Sequence, residues 1–167
     1  EAWEHLAEQY NATGNLSQAA IAFENVVRLA PKNANAWAEL ADLTIALNPS
    51  DLLKAGEMAE KALAVDPWHQ KGLMIGAAAA FERGDYAHAA VLFDRLRKQI
   101  PAGNEVHDAL TQQIEMTLAA GGLKAIPKDD VGEKPETDLE KMMKLGGGMQ
   151  QAPERGQDGV GLNPLKR

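Results

Sequence analysis

Gly14-Asn15-Leu16-Ser17-Gln18-Ala19-Ala20-Ile21-Ala22-Phe23, followed by Pro31, returns 70 residues later as Gly84-Asp85-Tyr86-Ala87-His88-Ala89-Ala90-Val91-Leu92-Phe93, followed by Pro101. In both copies a polar and a bulky residue follow the glycine, then small residues, with Phe nine positions and Pro seventeen positions after it. Pro67 marks the end of a middle copy, so the prolines stand 36 and 34 residues apart. A period of this length is that of a stacked array of helical hairpins, each unable to bury its apolar face alone.

Working outward, residues 2–12 read as a helix because Trp3, Leu6, Ala7 and Tyr10 recur on one helical face. Gly14-Asn15 breaks it, and a second helix over 16–29 turns Ala19, Ala20, Phe23, Val26 and Val27 inward before Pro31 stops the hydrogen-bond ladder. In the middle unit Trp37, Leu40, Ala41 and Thr44 take the places of Trp3, Leu6, Ala7 and Tyr10, with Asn33 or Asn35 as the cap. Asn48-Pro49-Ser50-Asp51 replaces the glycine turn, and Ser50 or Asp51 is expected to cap a helix running to Val65 with Ala55, Ala59 and Ala62 at its close contacts. In the third unit Leu73, Gly76, Ala77 and Ala80 make an unusually small-sided helix, partnered by residues 86–99. Gly72 and Gly76 each weaken that helix by roughly 1 kcal/mol relative to Ala, so its stability has to come from close packing. A seventh helix over 105–119, with Val106, Leu110, Ile114 and Leu118 four residues apart, reads as the cap that a solenoid needs over its last hairpin. Trp3 and Trp37 read as core, whereas Trp68 reads as core or as partner-facing.

The composition divides the chain near residue 120. Nine of the 15 glycines lie beyond it, and every Trp, Tyr, Phe and His lies before it. Residues 1–120 carry 16 acidic against 9 basic side chains and the remainder 8 against 8, so the net charge of -7 belongs to the first part. An acidic body excludes a general nucleic-acid binder, which exchanges counterions for Lys and Arg, and favours a basic protein or peptide as partner. Residues 121–167 read as an irregular polar tail with one short helix at 136–145, where Leu139, Met142, Met143 and Leu145 offer one apolar side. No cysteine is present, and His5, His69, His88 and His107 lie apart with no metal-ligand spacing. No glycine-rich loop follows a strand. The expectation is a non-enzymatic chain with no cofactor. No run is long enough to span a membrane, and the chain opens inside a helical pattern, as an excised piece would.

The residues Trp3-x2-Leu6-Ala7-x2-Tyr10-x3-Gly14-x4-Ala19-x3-Phe23-x7-Pro31 resemble the tetratricopeptide repeat. That resemblance implies an all-α, right-handed solenoid with repeats at about 1–33, 34–69 and 70–103. The segments 31–42, 64–73, 79–86 and 100–105 resemble the repeat domain of the cytochrome c-type biogenesis family known as CcmI or CycH, and a related nitrite-reductase maturation subunit shares this architecture. What the resemblance implies is a periplasmic repeat domain, attached to the inner membrane through an anchor outside this chain. Such a domain captures the C-terminal amphipathic helix of apocytochrome c and presents it to the haem-ligation complex.

In this repeat type the first helix of each hairpin lines the concave side. Projected onto this register, the groove takes Glu1, Glu4, Glu8 and Asn11 from the first unit, Asn35, Ala38, Asp42 and Ile45 from the second, and Lys71, Met74, Ala78 and Phe81 from the third. One end is then acidic and the other apolar, which suits a helix with basic residues on one side and apolar residues on the other. Met74 either faces the groove or packs on the neighbouring hairpin; Phe81 either faces it or closes its own hairpin. Glu4 and Glu8, one turn apart, repel by a few tenths of a kcal/mol if exposed. Two other readings compete: a general scaffold of an envelope complex, and a clamp for a peptide C-terminal carboxylate, for which only Lys71, Asn11 and Asn35 are candidates. Self-association through Ala2, Leu6 and Tyr10 is a further expectation.

Overall fold

The computed structural model describes residues 2–146. Seven helices form three consecutive hairpins and a closing helix: α1 (Ala2–Ala12) with α2 (Leu16–Leu29), α3 (Ala34–Leu47) with α4 (Leu52–Val65), α5 (Gln70–Glu82) with α6 (Tyr86–Arg97), and α7 (Glu105–Gly121) against α6. Each helix packs on the next, and α3 also packs on α5. This is the all-α helical solenoid expected from the repeat.

The two glycine turns are the same device. Gly14 and Gly84 sit at φ 78° and 80°, a left-handed conformation that L side chains rarely adopt. The following amides reach back five residues, Asn15 N–H to the Tyr10 carbonyl at 2.9 Å and Asp85 N–H to the Ala80 carbonyl at 2.8 Å. The glycine amides bond Asn11 and Phe81 at 3.1 and 2.9 Å. Both ends are Schellman motifs, which satisfy the last carbonyls of α1 and α5. The middle hairpin instead turns through a 3₁₀ segment, Pro49–Asp51. There the Asn48 carboxamide accepts from Ser50 N–H, and neither Ser50 nor Asp51 caps α4 with its side chain, contrary to expectation. The prolines recur for a matching reason: a few residues after each, a side chain caps the next helix. Asn33 accepts from Ala36 N–H, His69 Nδ1 from Gly72 N–H, and Asn104 from Val106 N–H. Asn33, not Asn35, is thus the cap of α3.

Alanine and glycine set the interhelical spacing. Ala7, Ala19, Ala41, Ala55, Ala59, Ala62, Ala77, Ala80 and Ala89 are completely buried. A methyl group on Gly56 of α4 would collide with the Cβ of Ala79 on α5, and one on Gly76 would press Leu92 and Leu63 at 3.3 and 3.4 Å. The small-sided α5 therefore lets α4 and α6 approach closely, as the sequence required. His88 Nε2 and Glu60 Oε1, 2.8 Å apart, tie α6 to α4, and the hydrogen bond to the Glu60 carboxylate raises the His88 pKa.

Two further expectations, about burial, need correction. Trp3 is 42% exposed instead of core, because α1 packs against α2 on one side and its outer face is uncovered among the described residues. Val106 is also exposed, since the buried face of α7 centres on Leu110, Ile114 and Thr117. The compact unit runs to Gly132, beyond the composition boundary at 120. Residues 123–132 follow α7 without regular structure, with Ile126 packed on the core formed by α5, α6 and α7. The Asp129 carboxylate accepts two bonds from buried Arg95, at 2.7 and 2.9 Å. Arg95 also donates to the Pro67 carbonyl at 3.1 Å and lies 5.9 Å from the Trp68 ring, which places Trp68 in the packed end of the solenoid. In the second unit, α8 (Asp138–Gly146) forms within two residues of the expected short helix. Residues 147–167 of the expected tail, like Glu1, lie outside the described residues.

Candidate functional site

The groove residues of the sequence projection come from α1, α3 and α5, and a polar chain links those three helices. Asn11 on α1 donates to Glu39 on α3 at 3.5 Å, and Glu39 accepts from Lys71 on α5 at 2.7 Å. Lys71 also pairs with Asp42 at 3.1 Å. Two further bonds extend the array: Asn33 donates to Glu4 Oε1 at 2.8 Å, and His69 Nε2 meets Asn35 Oδ1 at 2.8 Å. Because His69 Nδ1 accepts from Gly72 N–H, its Nε2 carries the proton and donates to Asn35.

Glu4, Glu8, Asn11, Asn35 and Glu39 wall a cleft of about 490 Å³, with buried Phe23 and Ala36 at its base. Glu8 has no hydrogen-bond or ion-pair partner among the described residues. Glu4, Glu8, Glu39 and Asp42 bring four carboxylates to this surface against the one ammonium of Lys71. Burial opposes the charge on Lys71, but the hydrogen bonds it donates to Glu39 and Asp42 outweigh it, and the pKa lies above the ordinary lysine value. A broader cleft of about 690 Å³ opens among the connecting loops, between Pro31 and His69, and shares only Asn35 with the acidic one.

The apolar half is less uniform than the projection. Met74 on α5 is 56% exposed, although its chain neighbours Leu73 and Ile75 are buried. Ala78 is half-buried. Ile45 is half-buried and packs on the cluster of Ala41, Ala55, Ala59 and Ile75. Phe81 packs on the core of the third hairpin and meets the Tyr86 ring edge to face at 5.2 Å, so it closes the α5–α6 turn. Ala38 is wholly buried, and the α3 position facing the groove is Glu39, which the projection missed. Spacing did not choose between them: Ala38 and Glu39 stand at i+3 and i+4 from Asn35, and either completes a helical stripe that reaches Asp42 at i+7.

This surface is made by α1, α3 and α5, the first helices of three successive hairpins, and carries carboxylates on α1 and α3 and an exposed thioether on α5. The comparisons with known proteins agree on this architecture. The tetratricopeptide-repeat family model matches residues 1–43. Cytochrome c-type biogenesis protein CcmH of Escherichia coli (strain K12) is 28% identical over 119 residues, covering 71% of this chain and 34% of that protein. The Shigella flexneri protein of the same name gives the same values. The chain thus spans about a third of the length of these relatives. Among solved structures, the Arabidopsis OM64 TPR domain is similar with TM-score 0.58 at 16% identity, covering 69% of this chain and 93% of that one. The Sgt2 TPR domain from Aspergillus fumigatus gives 0.57 at 21% identity, covering 80% and 89%. The first TPR of Spaghetti (RPAP3), solved with an HSP90 peptide, gives 0.57 at 19% identity, covering 71% and 94%. The chain has a tetratricopeptide-repeat solenoid fold, and in sequence it resembles the CcmH proteins of cytochrome c-type biogenesis.

Proposed function

We propose that this chain is a non-enzymatic protein-binding module of c-type cytochrome biogenesis. It holds the C-terminal amphipathic helix of apocytochrome c in the groove of α1, α3 and α5 and presents it to the haem-ligation complex. The observation that carries the reading is the array of Glu4, Glu8, Glu39 and Asp42 beside exposed Met74, complementary to a helix with one basic and one apolar side. The resemblance to the CcmH proteins of cytochrome c-type biogenesis supports the cytochrome as client, and the proposed location is the periplasmic side of the bacterial envelope. Among the described residues no helix is long and apolar enough to cross a membrane.

A clamp for a peptide C-terminal carboxylate is disfavoured by the same geometry. It needs uncommitted cations in the groove, and Lys71 is already held between Glu39 and Asp42. A general scaffold would use the outer helices, where Ile21 and Leu29 on α2 are exposed.

Titration calorimetry against peptides of apocytochrome c C-terminal helices, with shuffled controls of equal charge, tests the proposal. The expected result is micromolar or tighter binding of the authentic peptides, weakened about tenfold by Glu8→Gln combined with Met74→Ala. Equal binding of authentic and shuffled peptides would reduce the interaction to non-specific charge attraction and overturn it.

A further inference from the structure

Among the described residues Lys71 is the one cation in a row of groove carboxylates, and it is not available to a ligand. Its ammonium lies 2.7 Å from Glu39 and 3.1 Å from Asp42, both on α3, while its own stem rises from α5. The pair therefore bridges the second and third hairpins in the middle of the groove. Bracing those hairpins is one role for it. Yet a half-exposed ion pair adds little to stability, and α3 and α5 are already joined through Ala41 and Ile75 in one buried cluster. What Lys71 changes more is the surface field. It neutralises Glu39 and Asp42 on α3 and leaves Glu4 and Glu8, on α1, without a cation among the described residues.

We infer that Lys71 is a specificity-determining residue: it fills from within the chain the subsite on Glu39 and Asp42 that a cationic side chain of a bound helix would otherwise take. The occupant of the groove is an amphipathic helix whose basic residues are gathered at one end. That end is directed to Glu4 and Glu8 on α1, and the apolar remainder lies toward Met74 on α5. A helix with its basic residues in the middle meets the ammonium of Lys71 instead of an open carboxylate pair, and like charges there suppress the wrong alignment. The inference rests on the groove-binding reading above, but not on the ligand being a cytochrome.

The test uses the full chain and two designed helical peptides of identical composition and charge, one with its lysines at one end and the other with them at the centre. An authentic apocytochrome peptide is titrated alongside. Wild type is expected to prefer the end-basic peptide. Lys71→Met, which keeps most of the stem and removes the charge, is expected to bind the centre-basic peptide about fivefold more tightly and with a steeper salt dependence. Adding Glu39→Gln and Asp42→Asn should abolish that gain. An unchanged ratio between the two designed peptides in Lys71→Met, with only a lower Tm, would show a brace and overturn the inference. So would failure of both designed peptides to bind either protein at low salt. Binding of the designed peptides as described, with no binding of the authentic one, would instead sink the cytochrome reading and leave the role of Lys71 standing.

Discussion

Arg95 is 6% exposed and carries a full charge into the packed end of the solenoid, where three of its nitrogens find acceptors. Two of those acceptors belong to Asp129, thirty-four residues further on. Removing one partner of such a pair strands the other in low dielectric. Asp129→Asn is therefore expected to cost about 2 kcal/mol in denaturant unfolding, toward the low side for a buried pair because the carboxylate retains some solvent. Arg95 holds the Asp129 pKa below its ordinary 3.8, chiefly through the hydrogen bonds. A depressed carboxylate stabilises the fold above its unfolded pKa, and that contribution is lost as pH falls through the folded value. The stability gap between wild type and Asp129→Asn should therefore stay constant from neutral pH down to about pH 5 and close below 3.8. A gap unchanged at low pH would mean that the mutation acts by packing and not by charge. No signal in the sequence joined these two residues: Asp129 stands in a charged, turn-rich stretch with no period, and its partner lies on a helix whose pattern was explained without it.

Among the elements, the closest approach is between α4 and α5. Gly56 lies against Ala79 with no room for a methyl group, and neither contact is a flexible side-chain end that could swing away. Ala favours the helix by roughly 1 kcal/mol over Gly, while overpacking costs about 1–3 kcal/mol. Gly56→Ala should therefore lower stability by about 1 kcal/mol or more, although an isolated helix would gain from the same change. A rise in Tm for Gly56→Ala would show that α4 and α5 can separate without loss. The helices themselves were legible because their punctuation is local chemistry: Gly14 and Gly84 enforce a left-handed residue, and a capping side chain follows each repeat proline. The middle turn was less legible because Asn48 caps a 3₁₀ turn before α4 begins, a choice that Ser50 and Asp51 offered equally well on paper. The exposed Trp3 shows the limit of periodicity. Helical spacing identifies a face, but whether another helix covers that face is a property of the stack.

For the whole molecule, the repeat decides the stack and the stack decides which faces meet. Three first helices are brought side by side, and Asn11, Glu39 and Lys71 become neighbours although 28 and 32 residues separate them in sequence. The sequence projection drew this surface from α1, α3 and α5. It erred by one position on α3, taking buried Ala38 for Glu39, because alanine is common both in grooves and at helix crossings and its identity does not choose between them. It also assigned Phe81 and Ile45 to the surface in equal standing with Met74, whereas the packing draws the first two toward the core. The acidic residues and Met74 therefore carry the proposed function, with ligand bound where α1, α3 and α5 lie side by side. The most direct measurement is heteronuclear NMR of the isotopically labelled chain during titration with an apocytochrome C-terminal helix peptide. The account predicts shift changes centred on Glu8, Glu39 and the Met74 methyl group; changes confined to the outer faces of α2 and α4, around Ile21 and Leu53, would contradict it.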